Sequence, residues 1–300
     1  MQGLILLNKP KGITSFSAVS KIKWLAGEKR VGHTGTLDPL ATGVLPIFIG
    51  RATALSGILL DADKSYIAEV KLGVATDTCD ITGKVIKESN VSVTKTELEK
   101  VLEKFKGVIS QIPPMFSALK KDGVRLYELA RQGKQVEIEA RTVTINRIEL
   151  LDFSDKSFKM LVECSKGTYI RSLCRDIGEM LGCGATMTEL VRTATSGFSL
   201  NDTVSLDMLT KENISEYVLP EEKGILYLPE INVTKKQGIR FTNGGELSYD
   251  RLGNPEYEDG QLIRVKYDDI FLGVGFADNN KSQIRIKCVI NRLESDQTTG

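Results

Sequence analysis

The sequence predicts an α+β body over residues 1–228 followed by a compact all-β module over 229–293, with a short tail at 294–300. Three patterns carry that division: apolar alternation at strand period, apolar repetition at helix period between those strands, and a late switch to short, closely spaced strands. Residues 66–72 place Tyr66, Ala68, Val70 and Leu72 on one face and Ile67, Glu69 and Lys71 on the other, the mark of a half-buried strand. Thr94 and Glu97 form a capping box that opens a helix with Leu98, Val101, Leu102 and Phe105 on its apolar side and a stop at Gly107. Phe158, Met160, Val162 and Cys164 alternate again, so 158–165 is a second strand; Gly167 turns it into a helix carrying Ile170, Leu173, Cys174, Ile177 and Leu181 on one side. Residues from 201 to 228 are polar and contain Pro220, which predicts an outer helix or two leading into a linker. Beyond them Ile263, Val265 and Tyr267 alternate with Arg264 and Lys266, Asp268-Asp269 makes a turn, 270–276 returns as a strand, and 284–290 alternates once more. Strands this close together predict a small β-barrel.

Composition narrows the function. The chain has 300 residues, 41% hydrophobic and 26% charged, as an ordinary globular protein does. No apolar run approaches the roughly 20 residues that cross a membrane, and the N-terminus lacks the features of a signal peptide, so the expected location is the cytoplasm. The five cysteines are odd in number and include no C-x-x-C pair, which argues against a disulfide framework or a zinc knuckle and for buried, reduced thiols. His33 is the single histidine, so a His-rich metal site is excluded. Net charge is +1, unevenly spread: residues 1–60 carry seven Lys/Arg against two Asp/Glu, residues 201–300 twelve against seventeen. A basic N-terminal part suits a polyanionic partner.

Residues 32–46 read Gly-His-Thr-Gly-Thr-Leu-Asp-Pro-Leu-Ala-Thr-Gly-Val-Leu-Pro. Three glycines and an Asp-Pro step make this a shaped loop rather than a helix. It lacks the spacing of a phosphate-cradling loop. By residue chemistry alone Asp38 reads as a turn or helix-cap residue.

The segment resembles the catalytic motif of the tRNA pseudouridine-55 synthases, the bacterial TruB family, with Gly32, Gly35, Leu37, Asp38, Ala41 and Gly43 in the matching places. Further blocks follow in that family's order over roughly residues 3–200. They are Lys9-Pro10-Lys11-Gly12 with Thr14-Ser15; Tyr66 through Thr76-Asp77-Thr78 and Asp80 to Gly83; Pro113-Pro114 through Ala130-Arg131; Gly167 to Leu173; and Leu190-Val191-Arg192-Thr193 with Gly197-Phe198. The resemblance implies a pseudouridine synthase fold, with a central mixed, mostly antiparallel β-sheet flanked by helices, a tRNA-gripping insertion at about 111–135, and a PUA-type RNA-binding barrel at the C-terminus. It implies a stand-alone, cofactor-free enzyme that isomerises one T-arm uridine of tRNA, acting by default as a monomer.

That reaction breaks the bond between uracil N1 and ribose C1′, turns the base, and rejoins it through C5. A uracil anion is a tolerable leaving group, so the requirement is a carboxylate poised in a dry pocket, not a metal or redox group. Asp38 fills that place, as nucleophile at C1′, as nucleophile at C6, or as base at the C2′ proton. By the same resemblance Arg171 pairs with it, Tyr66 stacks on the flipped base, and Tyr169 takes part in proton transfer at C5. His33 lies beside the extruded base, and Ile170 and Leu190 line the apolar walls. Lys9, Lys120, Arg125 and Arg131, with Lys11, Lys21, Lys23, Lys29, Arg30 and Lys121, are the expected phosphate contacts. A non-catalytic RNA-binding protein on this scaffold ranks below the enzyme, because Asp38, Tyr66 and Arg171 are all present. The insertion likewise favours a stand-alone enzyme over a guide-RNA-dependent one.

Overall fold

A computed structural model describes residues 1–134 and 136–294; of the expected tail only Glu294 falls among them. In chain order the main body comprises β1 (Gly3–Lys9), α1 (Ser15–Ala26), β2 (Val31–His33), β3 (Thr42–Ile49), β4 (Lys64–Leu72), α2 (Lys95–Lys104), β5 (Gly107–Gln111), β6 (Arg141–Phe153), β7 (Ser157–Cys164), α3 (Ile170–Met180) and β8 (Ala185–Thr195). Among the described residues these strands build one mixed, mostly antiparallel sheet in the order β1-β3-β8-β4-β7-β6-β5, with Val204–Ser205 added in parallel to β1. The α2 capping box is formed as its sequence predicts: Thr94 Oγ1 accepts from Glu97 N, and Glu97 Oε2 accepts from Thr94 N.

β1 shows why the sheet has two covered faces. Its run Leu4-Ile5-Leu6-Leu7 is apolar at every position rather than at every second one, as a strand buried on both sides requires. Ile5 and Leu7 join Ile22 of α1, Leu98 of α2, and Leu173 and Ile177 of α3 in one apolar cluster. Leu4 and Leu6 join Val44, Phe48, Leu55 and Leu59 in another, together with Phe271, Val274 and Ile290 from the C-terminal module. Each such side chain contributes about 1.5–3 kcal/mol when fully buried, so the module is packed into the body's own core.

That module comprises β9 (Glu230–Asn232), α4 (Lys235–Thr242), β10 (Leu247–Ser248), β11 (Leu262–Tyr267), β12 (Ile270–Asp278) and β13 (Gln283–Val289). The strands run in the order β9-β11-β12-β13-β10, and the end strands β9 and β10 are not joined, so the expected barrel is a curled half-barrel. Residues 201–228 correct the sequence expectation. They hold no α-helix: besides the short strand Val204–Ser205 their regular structure is single 3-10 turns such as Leu206–Met208, Ile214–Tyr217 and Glu221–Ile225. Polar side chains take up the backbone groups a helix would need: Asp202 accepts from Ser199 N at 2.7 Å, and Asn213 accepts from Thr210 N at 2.8 Å while donating to Met208 O at 2.9 Å. The expected loop over 32–46 is also shorter, irregular only between β2 and β3.

The centre of the sheet holds one tight junction. β2 pairs antiparallel with the far end of β3, at Ile47–Ile49, whereas β8 pairs in parallel with its near end, Val191 opposite Thr42 and Arg192 opposite Gly43. Gly43 has φ +106°, and a Cβ there would lie 2.2 Å from Arg192 O. Gly43→Ala is therefore expected to destabilise the protein by at least the roughly 1–3 kcal/mol of a strained backbone position. Urea unfolding of the variant checks this.

Candidate active site

The loop between β2 and β3 is fixed from below. Ser15, the first residue of α1, donates its hydroxyl to Leu37 O at 3.0 Å and accepts from Leu37 N at 2.8 Å. Gly12 N donates to Pro39 O at 2.7 Å and Thr34 N to Pro46 O at 3.1 Å. Leu37, Leu40 and Ala41 sink into the core. With its neighbours anchored, Asp38 stands out of the apolar layer with its side chain 35% exposed.

Arg171, in the first turn of α3, meets it. Its Nε lies 2.8 Å from Asp38 Oδ2, although the arginine side chain is only 5% exposed. Nη1 donates to Thr78 O at 3.1 Å and Nη2 to Phe116 O at 2.8 Å, and Nη1 stands 3.7 Å from Asp80 Oδ2. The guanidinium thus spends its donors on two backbone carbonyls and two carboxylates. Asp80 was quoted in the sequence motif without a role; it is the second acid of the site, held by Thr78 Oγ1 at 2.9 Å and Thr82 N at 3.0 Å. The threonines two residues before and after it were the available signal. Burial pushes the Asp38 carboxyl above its ordinary range, Arg171 pulls it back down, and the charge of Asp80 adds to the rise.

The other expected site residues gather around this pair. Tyr66, Ile170 and Leu190 belong to the apolar cluster that also contains Leu37. Tyr169 is held by Gln111, which donates to its carbonyl at 3.1 Å and accepts from its N–H at 2.8 Å. Burial raises both tyrosine phenols, and the charge of Asp38 acts on each in the same direction. His33 is held below its ordinary value, first by burial and then by Arg192.

Lys9 is a correction. It is no phosphate contact: the side chain is wholly buried and its ammonium donates to Pro10 O and Ile13 O, each at 2.8 Å. The Lys-Pro step turns the chain back over the strand end, so the ammonium is enclosed beside Asp38 instead of reaching solvent. Lys120, Arg125 and Arg131 are exposed on the insertion, apart from Asp38. Arg125 and Arg131 lie against the Tyr127 ring, 5.8 Å and 5.5 Å from its centroid. The insertion reaches the site at its base, where Phe116 O binds Arg171 and Ile112 O accepts from Ser172 at 2.8 Å.

This overall fold recurs in solved structures of pseudouridine synthase fold. A Cbf5-Nop10-Gar1 complex matches with TM-score 0.75 and 27% identity, over 97% of this chain and 85% of that one. An H/ACA ribonucleoprotein bound to a substrate RNA containing 2′-deoxyuridine matches with TM-score 0.74 and 26% identity, over 97% and 86%. Residues 23–170 match the model of the TruB family pseudouridylate synthase N-terminal domain, and 171–228 that of the tRNA pseudouridylate synthase B C-terminal domain. The tRNA pseudouridine synthase B of Pseudomonas fluorescens (strain Pf0-1) is 44% identical over 92% of this chain and 91% of its own length. That of Clostridium tetani (strain Massachusetts / E88) is 45% identical over 92% and 95%. The chain belongs to the TruB family of tRNA pseudouridine synthases, isomerases of uridine in RNA. No helix among the described residues is long and apolar enough to cross a membrane.

Burial lowers the Lys9 ammonium from 10.5 to about 8, while Asp38 opposes the fall. Between those two values the unfolded chain binds a proton that the folded one has released, so stability should rise with pH across that window. A lysine ε-carbon NMR titration should find one resonance moving near pH 8, and Lys9→Met should remove it together with that rise.

Proposed function

We propose that the enzyme isomerises uridine 55 in the T-arm of tRNA, that Asp38 is the reacting carboxylate, and that the uridine is flipped out of the arm to reach it. The observation that carries this reading is the Asp38–Arg171 pair: a carboxylate one-third exposed, on a loop anchored in the core by Leu37, Leu40 and Ala41, with a buried guanidinium 2.8 Å away. Burial raises the pKa of such a group, and the arginine opposes that rise and favours the anion. Flipping costs a few kcal/mol, of which stacking on Tyr66 returns about 1–3 kcal/mol. Leu190 and Ile170 keep the pocket dry, Tyr169 stands at the proton transfers on C5, and His33 fills the space the base leaves. In the net reaction the N1–C1′ bond breaks, a C5–C1′ bond forms, the C5 proton departs and N1 gains one. Asp38 serves at C1′, at C6 or at the C2′ proton, and all three require its ionised form. Lys120, Arg125 and Arg131, exposed on the insertion, are suited to grip the phosphates of the arm.

Tritium release from C5-labelled uridine in an unmodified tRNA transcript tests the reading. Wild type should release label from a single T-arm position and Asp38→Asn none; release at another position sinks the assignment of the site, and an active Asp38→Asn sinks that of the residue. Arg171→Lys should stay folded and lose most of the activity, since an ammonium cannot serve two carboxylates and two carbonyls at once. Because the carboxyl is raised, activity should climb with pH through a value above the ordinary 3.8, measured as a single-turnover pH profile. Replacing Lys120, Arg125 and Arg131 together by alanine should flatten the slope of log affinity against log salt by roughly 2–3.

A further inference from the structure

Arg192 heads the fully buried side chains of the described structure by volume, at 1% exposure. Among the described residues no carboxylate stands within ion-pairing distance of it. Burying a lone guanidinium is far costlier than burying an apolar side chain of that size, so a fold that keeps one must use it. Its Nε donates to Val44 O at 2.7 Å and its Nη2 to Gly35 O at 3.3 Å. Across the sheet it stands in register with Tyr66, and the guanidinium lies against the Tyr66 phenol. One side chain therefore ties β8 to the start of β3, to the Asp38 loop and to the tyrosine on β4.

The chemistry of the contact has a direction. A guanidinium has five donors and no acceptor, so toward Arg192 the phenol oxygen can only accept. The hydroxyl proton is thereby turned away from the guanidinium. We propose that Arg192 is a positioning residue: it holds the Tyr66 ring by its phenol oxygen, so that the ring presents a set face to the extruded uracil. The inference rests on Tyr66 meeting the base, as proposed above.

Single-turnover tritium release and tRNA affinity are measured for Tyr66→Phe, Arg192→Gln, Arg192→Lys and the doubles. Arg192→Gln should slow turnover roughly 10²-fold, as a misplaced catalytic contact does, with tRNA affinity unchanged. Arg192→Lys, which keeps the charge, should recover part of the rate. In the Tyr66→Phe background either replacement should cost nothing further, since the hydroxyl it would hold is gone. Additive losses would overturn the proposal, as would a loss confined to tRNA affinity. If Arg192→Gln does not fold, the same cycle is read with Arg192→Lys; unfolding of both would make the arginine structural and overturn it too. Full activity of Tyr66→Phe alone would show that the phenol needs no holding and overturn the inference as well, whereas full activity of Tyr66→Ala would remove the stacking reading on which it rests.

Discussion

The buried guanidinium of Arg171 is the constraint on which the site depends. An arginine removed from water needs every donor satisfied, and the partners here come from three separate segments, the Asp38 loop, the Thr78 and Asp80 turn, and Phe116 at the base of the insertion, which with α3 itself make four. Each is distant from the others in sequence. Once the arginine is buried, the four must converge on it, and convergence brings the Asp38 carboxylate to a defined place. The ion pair is thus an assembly point as well as an electrostatic device. Breaking it by removing one partner would leave a charge stranded in an apolar layer, the costly case for any buried pair.

Charge near the site is deliberately unbalanced. Lys9 and Arg192 are both buried, and neither sits in an ion pair of its own, while Asp38 and Asp80 share a single arginine. Positive charge held where water cannot screen it acts at longer range than the exposed lysines of α1. A polyanion approaching this cleft would meet that field directly. Within the acidic C-terminal hundred residues, Glu222 and Glu230 both bind Arg264, at 3.1 Å and 2.9 Å.

Much of the fold was legible because its patterns are local. The strands at 66–72 and 158–165, the capped helix after Thr94 and the last three strands are each set by periodicity and end signals within about ten residues, and each stands where it was expected. Residues 201–228 were not legible, because a polar segment with scattered apolar anchors is decided by its docking, here Leu209 and Ile214 against one core and Ile225 against another. At the site, Asp38, Arg171 and their pairing are legible through motif resemblance, and only the geometry of the contact needs the fold. Lys9 misled for a physical reason: a lysine beside a proline looks like a surface charge until the chain is seen to turn back over it. Arg192 lies inside a matching motif block but drew no role, since an arginine on an alternating strand reads as solvent-facing.

The double burial of β1 has a consequence for how the protein is made. Leu4 and Leu6 leave the ribosome some 265 residues or more ahead of Phe271, Val274 and Ile290, which close the face they present. Contacts of such sequence separation form slowly, and until they form the newborn sheet shows bare hydrocarbon on one side. The half-barrel therefore completes the catalytic body as its final structural layer, and a nascent chain that has already exposed the Asp38 loop still lacks the cover that makes its sheet a finished domain.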